Sequence, residues 1–367
     1  MNILILSTHL NTGGISSYIL TLANGLGQNG HRVFVMTSGG NLVKSLEKST
    51  AKHIAVSIRT KSELSWRLYW PLGHIARFIR REKIDIIHAQ TRVTQVMGYF
   101  LSKLTQVPLV STCHGFFKPH FFRRAFPCWG KKVIAISRPV YDHLRSDFHV
   151  PADDVVLIPN GIDVEQFSMA APQKIKWFKD KWQLKEGPVI GIIARLSDVK
   201  GHTFLIEAMT RVIQKIPSAQ LLIVGEGPQE RSLKDLVARL ELSHCVHFKP
   251  IVSQTAEVLP ALDVFVMPSL QEGLGLSVME AQAAGVPVVA SRVGGLVDLI
   301  EEGKTGLLVP SQNADELAQA IFWVLENKAS ALKMGQAARR SIEEKFSAER
   351  MVAATIKIYE QNSRRKC

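Results

Sequence analysis

Residues 2–17, Asn2-Ile3-Leu4-Ile5-Leu6-Ser7-Thr8-His9-Leu10-Asn11-Thr12-Gly13-Gly14-Ile15-Ser16-Ser17, decide the fold class. The apolar run 2–7 reads as a strand and the apolar spacing over 15–27 as a helix, with a glycine pair at the joint. A buried strand that passes through glycine into a helix is the opening unit of a parallel α/β sheet. Further strand-like runs follow at 33–37, 84–88, 109–112 and 132–136, with helical patterns between them. The order βαβαβ implies right-handed crossovers and ligands at the carboxyl ends of the strands.

The pattern restarts after residue 165. Strand-like runs recur at 189–194, 220–225, 246–249, 264–267 and 286–290, with helices predicted over 204–216 and 229–240. Between the halves lies Ile158-Pro159-Asn160-Gly161-Ile162-Asp163, whose Pro, Asn and Gly carry turn chemistry and mark a hinge. The tail from 313 is helical. The expected architecture is α/β, with two Rossmann-like, doubly wound parallel-sheet domains, 1–165 and 166–349, facing an interdomain cleft. A C-terminal helix over about 350–367 is expected to pack back on the first domain, and the two are expected to open and close about the hinge.

Composition narrows the class. A chain of 367 residues that is 46% hydrophobic and 21% charged suits two globular domains, not a disordered polymer. No stretch approaches the roughly 20 apolar residues of a membrane-spanning helix. The start, MNILILSTHL, lacks the charged flank and the apolar length of a signal peptide. Cys113, Cys128, Cys245 and Cys367 are scattered without a CxxC pair, as in reduced cytosolic proteins. The net charge of +13 calls for an anionic partner, and residues 58–140 hold fifteen Lys and Arg against only Glu63, Glu82 and Asp85.

Three constellations could carry chemistry. Gly13 and Gly14 open a helix where backbone N–H groups can reach an anion; the same residues also suit a tight turn without a ligand. No acidic residue closes the second strand, which argues against a dinucleotide cofactor. Arg195 and Lys200, in Ala194-Arg195-Leu196-Ser197-Asp198-Val199-Lys200-Gly201, suit a diphosphate, or form an ordinary solvated loop. Glu272-Gly273-Leu274-Gly275-Leu276-Ser277-Val278-Met279-Glu280 sets one carboxylate in a glycine-rich loop and a second in the following helix. Carboxylates there can accept hydrogen bonds from sugar and ribose hydroxyls, with the amides of Gly275, Leu276 and Ser277 turned to phosphate. A capping Glu and a solvated helix Glu are the plainer alternative.

The element Glu272-x7-Glu280 resembles the EX7E motif of retaining GT-B glycosyltransferases of family 4. Gly13-Gly14, Gly30-His31-x-Val33, Pro159-Asn160-Gly161-Ile162-Asp163, the 194–201 loop, Val224-Gly225-Glu226-Gly227-Pro228 and Gly285-Val286-Pro287-Val288-Val289-Ala290 follow in that family's order. The resemblance runs through nearly the whole chain. It implies that Glu280 binds the ribose of a nucleoside diphosphate and that Arg195 and Lys200 neutralise its phosphates. Glu272 would contact donor-sugar hydroxyls, with Gly273 to Ser277 supplying backbone donors and Gly14 closing over the diphosphate. Base choice, of UDP or GDP type, would turn on backbone near Pro250 and Ile251. His114 matches a family histidine near the reacting centre; alone, a histidine after a strand is as readily a packed residue. His9 and His88 share that kind of position. The resemblance also implies retention at the anomeric carbon. No Asp-x-Asp occurs in the chain, so neither a metal nor another cofactor is expected.

The segment 116–132 interleaves Lys118, Phe121, Phe122, Arg123, Arg124 and Trp129, and a second basic cluster holds Arg77, Arg80 and Arg81. That composition suits an anionic membrane surface and a lipid-linked or oligosaccharide acceptor, or else a partly buried aromatic loop with a solvated rim. No nucleic-acid motif accompanies the charge. The expected activity is transfer of a hexose-type sugar from a nucleoside-diphosphate sugar to an envelope lipid or glycan, in the cytoplasm or peripherally on the inner leaflet. The alternatives are a GT-B epimerase or hydrolase, and a non-catalytic module binding nucleotide or anionic lipid.

Overall fold

The structure is a computed structural model that describes residues 1–363 apart from 59, 61, 64, 168–171 and 253, and the side chains of 122, 172 and 174. The chain divides into two compact units, Met1–Gly161 with the segment from Ala348, and Ile162–Ser347.

In the first unit the described strands are β1 (Asn2–Leu6), β2 (Arg32–Thr37), β3 (Lys52–Ala55), β4 (Ile86–Ala89), β5 (Leu109–Cys113), β6 (Lys132–Ala135) and β7 (Val155–Leu157). They form one parallel sheet in the order β3-β2-β1-β4-β5-β6-β7. The central strand shows why a continuous apolar run is needed. Ile3 and Ile5 enter a core with Leu22 and Leu26 of the helix Gly14–Gln28, while Leu4 and Leu6 enter another with Ile75, Ile79 and Met97. A parallel sheet covered by helices on both faces has no polar side.

The helix Ala348–Asn362 returns to this unit and lies on Gly14–Gln28. Gly25 permits the approach: a Cβ there would stand 2.5 Å from Val352 Cγ2. The Tyr359 hydroxyl pairs with His88 Nδ1 at 2.6 Å, and His88 Nε2 pairs with Thr112 Oγ1 at 2.7 Å. His88 is therefore a fully buried core residue with both ring nitrogens engaged, not a group open to a ligand.

The second unit repeats the plan with β8 (Val189–Ile193), β9 (Gln220–Val224), β10 (Val246–Lys249), β11 (Val264–Met267), β12 (Val288–Ser291) and β13 (Leu307–Val309), ordered β10-β9-β8-β11-β12-β13. Ile190, Ile192 and Ile223 pack against Leu205 and Met209 of the helix His202–Lys215 and Ile321 of Ala314–Glu326. In each sheet the strand order reverses once, between β1 and β4 and between β8 and β11. Loops leaving the carboxyl ends of those strand pairs diverge to opposite faces and leave a crevice for a ligand.

Candidate active site

In the second unit that topology brings the loops after β8 and β11 together. The Leu270 N–H donates to the Val199 carbonyl at 2.8 Å. Gly201, at φ +69, has no room for a side chain, since a Cβ would stand 1.8 Å from the Pro268 carbonyl oxygen. Across this junction Lys200 Nζ donates to Glu272 Oε2 at 2.5 Å, with the two side chains only 22% and 11% exposed. The buried Ser269 hydroxyl donates to the same oxygen at 3.3 Å. The Glu272 carbonyl accepts the Gly295 N–H at 3.0 Å, which fixes the loop backbone from a third element.

The helix Leu276–Ala283 begins after Gly275, which sits at φ +100 and supplies no side-chain cap. The Val278 N–H donates to the Gly275 carbonyl at 3.0 Å, while those of Leu276 and Ser277 precede any helical carbonyl they could reach and carry the positive end of the helix dipole. Glu280 lies in the second turn, half-buried, and its Oε2 accepts from Thr255 Oγ1 at 2.9 Å. Burial pushes this carboxyl up to about 7, while the Thr255 hydrogen bond pulls the other way. Arg195 is exposed and forms no ion pair among the described residues. Ile251 is also exposed, four residues before Thr255. Lys200, Glu272, Gly273, Gly275, Leu276, Ser277 and Glu280 thus belong to one loop-and-helix assembly.

In the first unit Gly13 precedes the helix Gly14–Gln28, again without a side-chain cap. No atom lies within 4 Å of where a Cβ would stand on Gly13 or Gly14, so their backbone faces open space. The loop is held by a reciprocal pair, Thr12 N–H to Asn41 Oδ1 and Asn41 Nδ2 to Thr12 Oγ1, both at 2.9 Å. His114, just past β5, pairs through Nε2 with Gln90 Oε1 at 2.8 Å, and Gln90 follows β4. An amide oxygen only accepts, so Nε2 carries the hydrogen and Nδ1 keeps its lone pair. The ring stands edge-on to Tyr18 with centroids 4.9 Å apart, and burial pushes its pKa down to about 3. His114 is a neutral acceptor at physiological pH. His9 is exposed, and its Nδ1 accepts from the Asn11 N–H at 3.3 Å.

The basic and aromatic residues divide. Arg77 is exposed, Arg80 donates to the Leu104 carbonyl at 2.7 Å, and Arg81 pairs with Glu82 at 3.0 Å. Lys118 and Phe121 are exposed, and Arg124 donates to the Asp147 carbonyl at 3.1 Å. The Phe122 side chain lies outside the described residues. One expectation of a surface position fails, and a second residue is half-buried. Trp129 is 6% exposed and packs edge-on against Phe148 at 5.7 Å, as a core residue does. The Arg123 guanidinium lies 4.0 Å over the Phe117 ring with its Nε buried, and desolvation pushes its pKa down to about 10. An alternation of rings and cations fixes which residues are amphipathic, not which way they turn.

Ser269, Thr255 and Gln90 are the partners that sequence reading missed. Each is a common polar residue off any motif, and only the sheet topology shows which carboxylate or imidazole it meets. Among the described residues no group of three His, Cys, Asp or Glu side chains is placed to hold a metal ion, and no helix is long and apolar enough to cross a membrane.

Comparison with known proteins gives this geometry its context. Residues 12–166 match the family described as Glycosyltransferase Family 4, and residues 173–341 match Glycosyl transferases group 1. A D-inositol 3-phosphate glycosyltransferase of Pseudarthrobacter chlorophenolicus is 31% identical over 89% of this chain and 86% of its own length. A glycosyltransferase structure from Rickettsia africae superposes with a TM-score of 0.87 at 26% identity, covering 98% of each chain. Anabaena HepE, solved with UDP-glucose, gives a TM-score of 0.86 at 23% identity over 98% of this chain and 100% of its own.

Proposed function

The chain belongs to the GT-B glycosyltransferases of family 4, and from that premise we propose that it moves a hexose-type sugar from a nucleoside diphosphate of UDP or GDP type to a lipid-linked or cell-envelope glycan acceptor. The observation that carries this reading is the contact of Lys200 with Glu272 at 2.5 Å, one residue of each loop at the sheet reversal. A mobile cation and a carboxylate sharing one point can be parted by a diphosphate: the ammonium turns to phosphate and Glu272 Oε2 is released to sugar hydroxyls. Arg195, free of carboxylates, adds a second counter-charge, and the amides of Leu276 and Ser277 a third. Fixed donors aimed at the departing diphosphate stabilise it as charge develops, so the proposed transfer is metal-independent.

Glu280 accepts the ribose hydroxyls and the backbone at Ile251 faces the base. In the first unit, taken by itself, the open backbone at Gly14 can receive an anion and neutral His114 can offer Nδ1 to a hydroxyl. Retention follows from attack on the face the diphosphate leaves: the acceptor oxygen bonds to the anomeric carbon as the bond to the phosphate oxygen breaks. The acceptor's proton passes to that oxygen. The complex of the like-folded Anabaena protein with UDP-glucose supports the donor class. The net charge of +13 supports peripheral attachment to the inner leaflet, where a lipid-linked acceptor lies.

The test is calorimetric binding of UDP, GDP and ADP to the wild type and to Glu280→Ala. One nucleotide should bind, and the variant should bind it more weakly by about 1.5–3 kcal/mol, the worth of a hydrogen bond to a charged group. Absence of binding by all three, with no effect of the substitution, overturns the proposal.

A further inference from the structure

The basic helix Leu72–Arg81 and the aromatic segment before it share a surface of the first unit that reaches Phe126 through a chain of rings. The helix Leu72–Arg81 buries Ile75, Phe78 and Ile79 and turns Arg77 and Arg80 outward. Immediately before it stand Trp66, 67% exposed, and Trp70, 82% exposed, in edge-on contact at 6.3 Å. Exposure of two neighbouring indoles is costly to a chain that is free to bury them, at roughly 25 cal/mol for each Å² of apolar surface left in water. From this pair a chain of rings runs sideways: Tyr69 meets Phe100 at 5.6 Å, and Phe100 meets Phe126 at 6.0 Å, next to the helix Phe121–Ala125. Arg92 ties the strip together, with its guanidinium on Glu63 at 2.5 Å and on the Phe126 carbonyl at 2.7 Å.

The unpaired charge on this strip is positive. Arg67 and Arg77 form no ion pair among the described residues, and Arg80 is spent on the Leu104 carbonyl. The nearby carboxylates are already taken, Glu63 by Arg92 and Glu82 by Arg32 and Arg81.

We propose that this strip, anchored by Trp66 and Trp70, is the surface on which the enzyme lies against an anionic bilayer. This deepens the membrane attachment proposed above and rests on it. Indole rings with one apolar body and one N–H prefer the headgroup boundary, and cations without a carboxylate partner meet anionic headgroups there. A second copy of the chain is a poor occupant, because a self-matched interface would set Arg67 and Arg77 against their own kind. The attachment surface therefore moves from Trp129, which is packed inward, and half-buried Arg123 to residues 66–80.

Co-flotation with vesicles tests this, using equal parts phosphatidylcholine and phosphatidylglycerol against phosphatidylcholine alone. The wild type should float with the anionic vesicles only, with a blue shift in tryptophan emission. Trp66→Ser/Trp70→Ser should lose the shift and bind at least about tenfold more weakly, as expected when two interfacial rings are removed. Arg67→Glu/Arg77→Glu should weaken binding by about fivefold or more per cation and lessen its salt dependence. An unchanged thermal midpoint verifies that each variant is folded. Absence of wild-type flotation on anionic vesicles overturns membrane attachment altogether. Flotation by both variants at wild-type strength overturns this surface while leaving attachment standing, and neither result bears on nucleotide binding.

Discussion

At the carboxyl ends of β8 and β11 the side chains that meet are charged, Lys200 on Glu272 at 2.5 Å, whereas past β4 and β5 they are neutral, His114 on Gln90 at 2.8 Å. The charged pair lies at the strand-order reversal between β8 and β11, and the neutral pair one strand beyond the reversal of its own sheet, past the neighbours β4 and β5. A charged pair can be re-partnered by an anion, because the cation gains as much from phosphate as from carboxylate. A neutral imidazole and amide offer phosphate nothing comparable; they can hold a hydroxyl in a fixed direction. On the proposed reading the Lys200–Glu272 pair is the one a diphosphate can part, and the His114–Gln90 pair is the one that can only orient a hydroxyl.

Lys200→Ala should break the comparison most severely. It leaves the Glu272 carboxylate, 11% exposed, with Ser269 as its side-chain partner, and it removes a phosphate counter-charge. Stability should fall by about 3 kcal/mol, the cost of stranding one member of a mostly buried pair. Turnover should fall by roughly 100-fold or more in kcat/KM. The pair Lys200→Ala and Glu272→Gln, made singly and together, sharpens this. The double variant should recover most of the lost stability in urea unfolding and none of the turnover. Additive stability losses would mean that the contact at 2.5 Å carries no coupling.

Within the second unit Glu272 and Glu280 differ as strongly as the two units do. Glu272 has an ammonium partner; Glu280 has a hydroxyl, and its carboxyl is pushed up to about 7. A carboxyl that titrates near 7 when folded and at the ordinary 4.5 when unfolded binds more protons folded between those values. Its contribution to stability is complete below about 4.5 and is lost as the pH rises through about 7, by an amount near 3 kcal/mol. Glu280→Gln should therefore flatten the stability profile between pH 4.5 and 7, measured by urea unfolding. Nucleotide affinity should move in the opposite sense, strengthening as the pH rises through 7, since the ribose hydroxyls donate to the ionised form.

Thr255→Val gives a smaller effect at the same place. Losing the 2.9 Å hydrogen bond removes an influence that lowers the Glu280 pKa, so the midpoint of nucleotide binding should shift to higher pH. At pH 7 the binding loss should be about 1 kcal/mol, and Thr255→Ser should restore it. A loss that is equal at every pH would assign Thr255 to packing instead.

The parts of this arrangement that sequence reveals are those with a period or a forced backbone. The strands β8 and β11 are unbroken apolar runs, β1 is one after Asn2, and Gly201 and Gly275 mark turns at positive φ. The edge strands β3, β7 and β13 escaped notice because runs of three or four residues are too short to carry a pattern. The pairing of Thr255 with Glu280 spans 25 residues and that of Tyr359 with His88 spans 271, distances over which no local rule operates. Burial was the harder property. Trp129 and Trp70 are the same residue type in equally basic surroundings, yet one fills a core and the other faces solvent. Only packing against Phe148 distinguishes them.

The neutral side of the comparison predicts an absence. With its pKa pushed down to about 3, His114 changes no charge between pH 5 and 8, so the limbs of the pH–rate profile in that window should belong to Glu280. His114→Asn replaces the ring by another neutral donor and acceptor, so it should lower kcat while leaving the shape of that profile intact. His114→Phe, which has neither, should lower kcat further, again without moving the midpoint. A midpoint that shifts with either substitution would show that the imidazole exchanges a proton during turnover, and the division between a charged unit and a hydroxyl-orienting one would then fail at its neutral end.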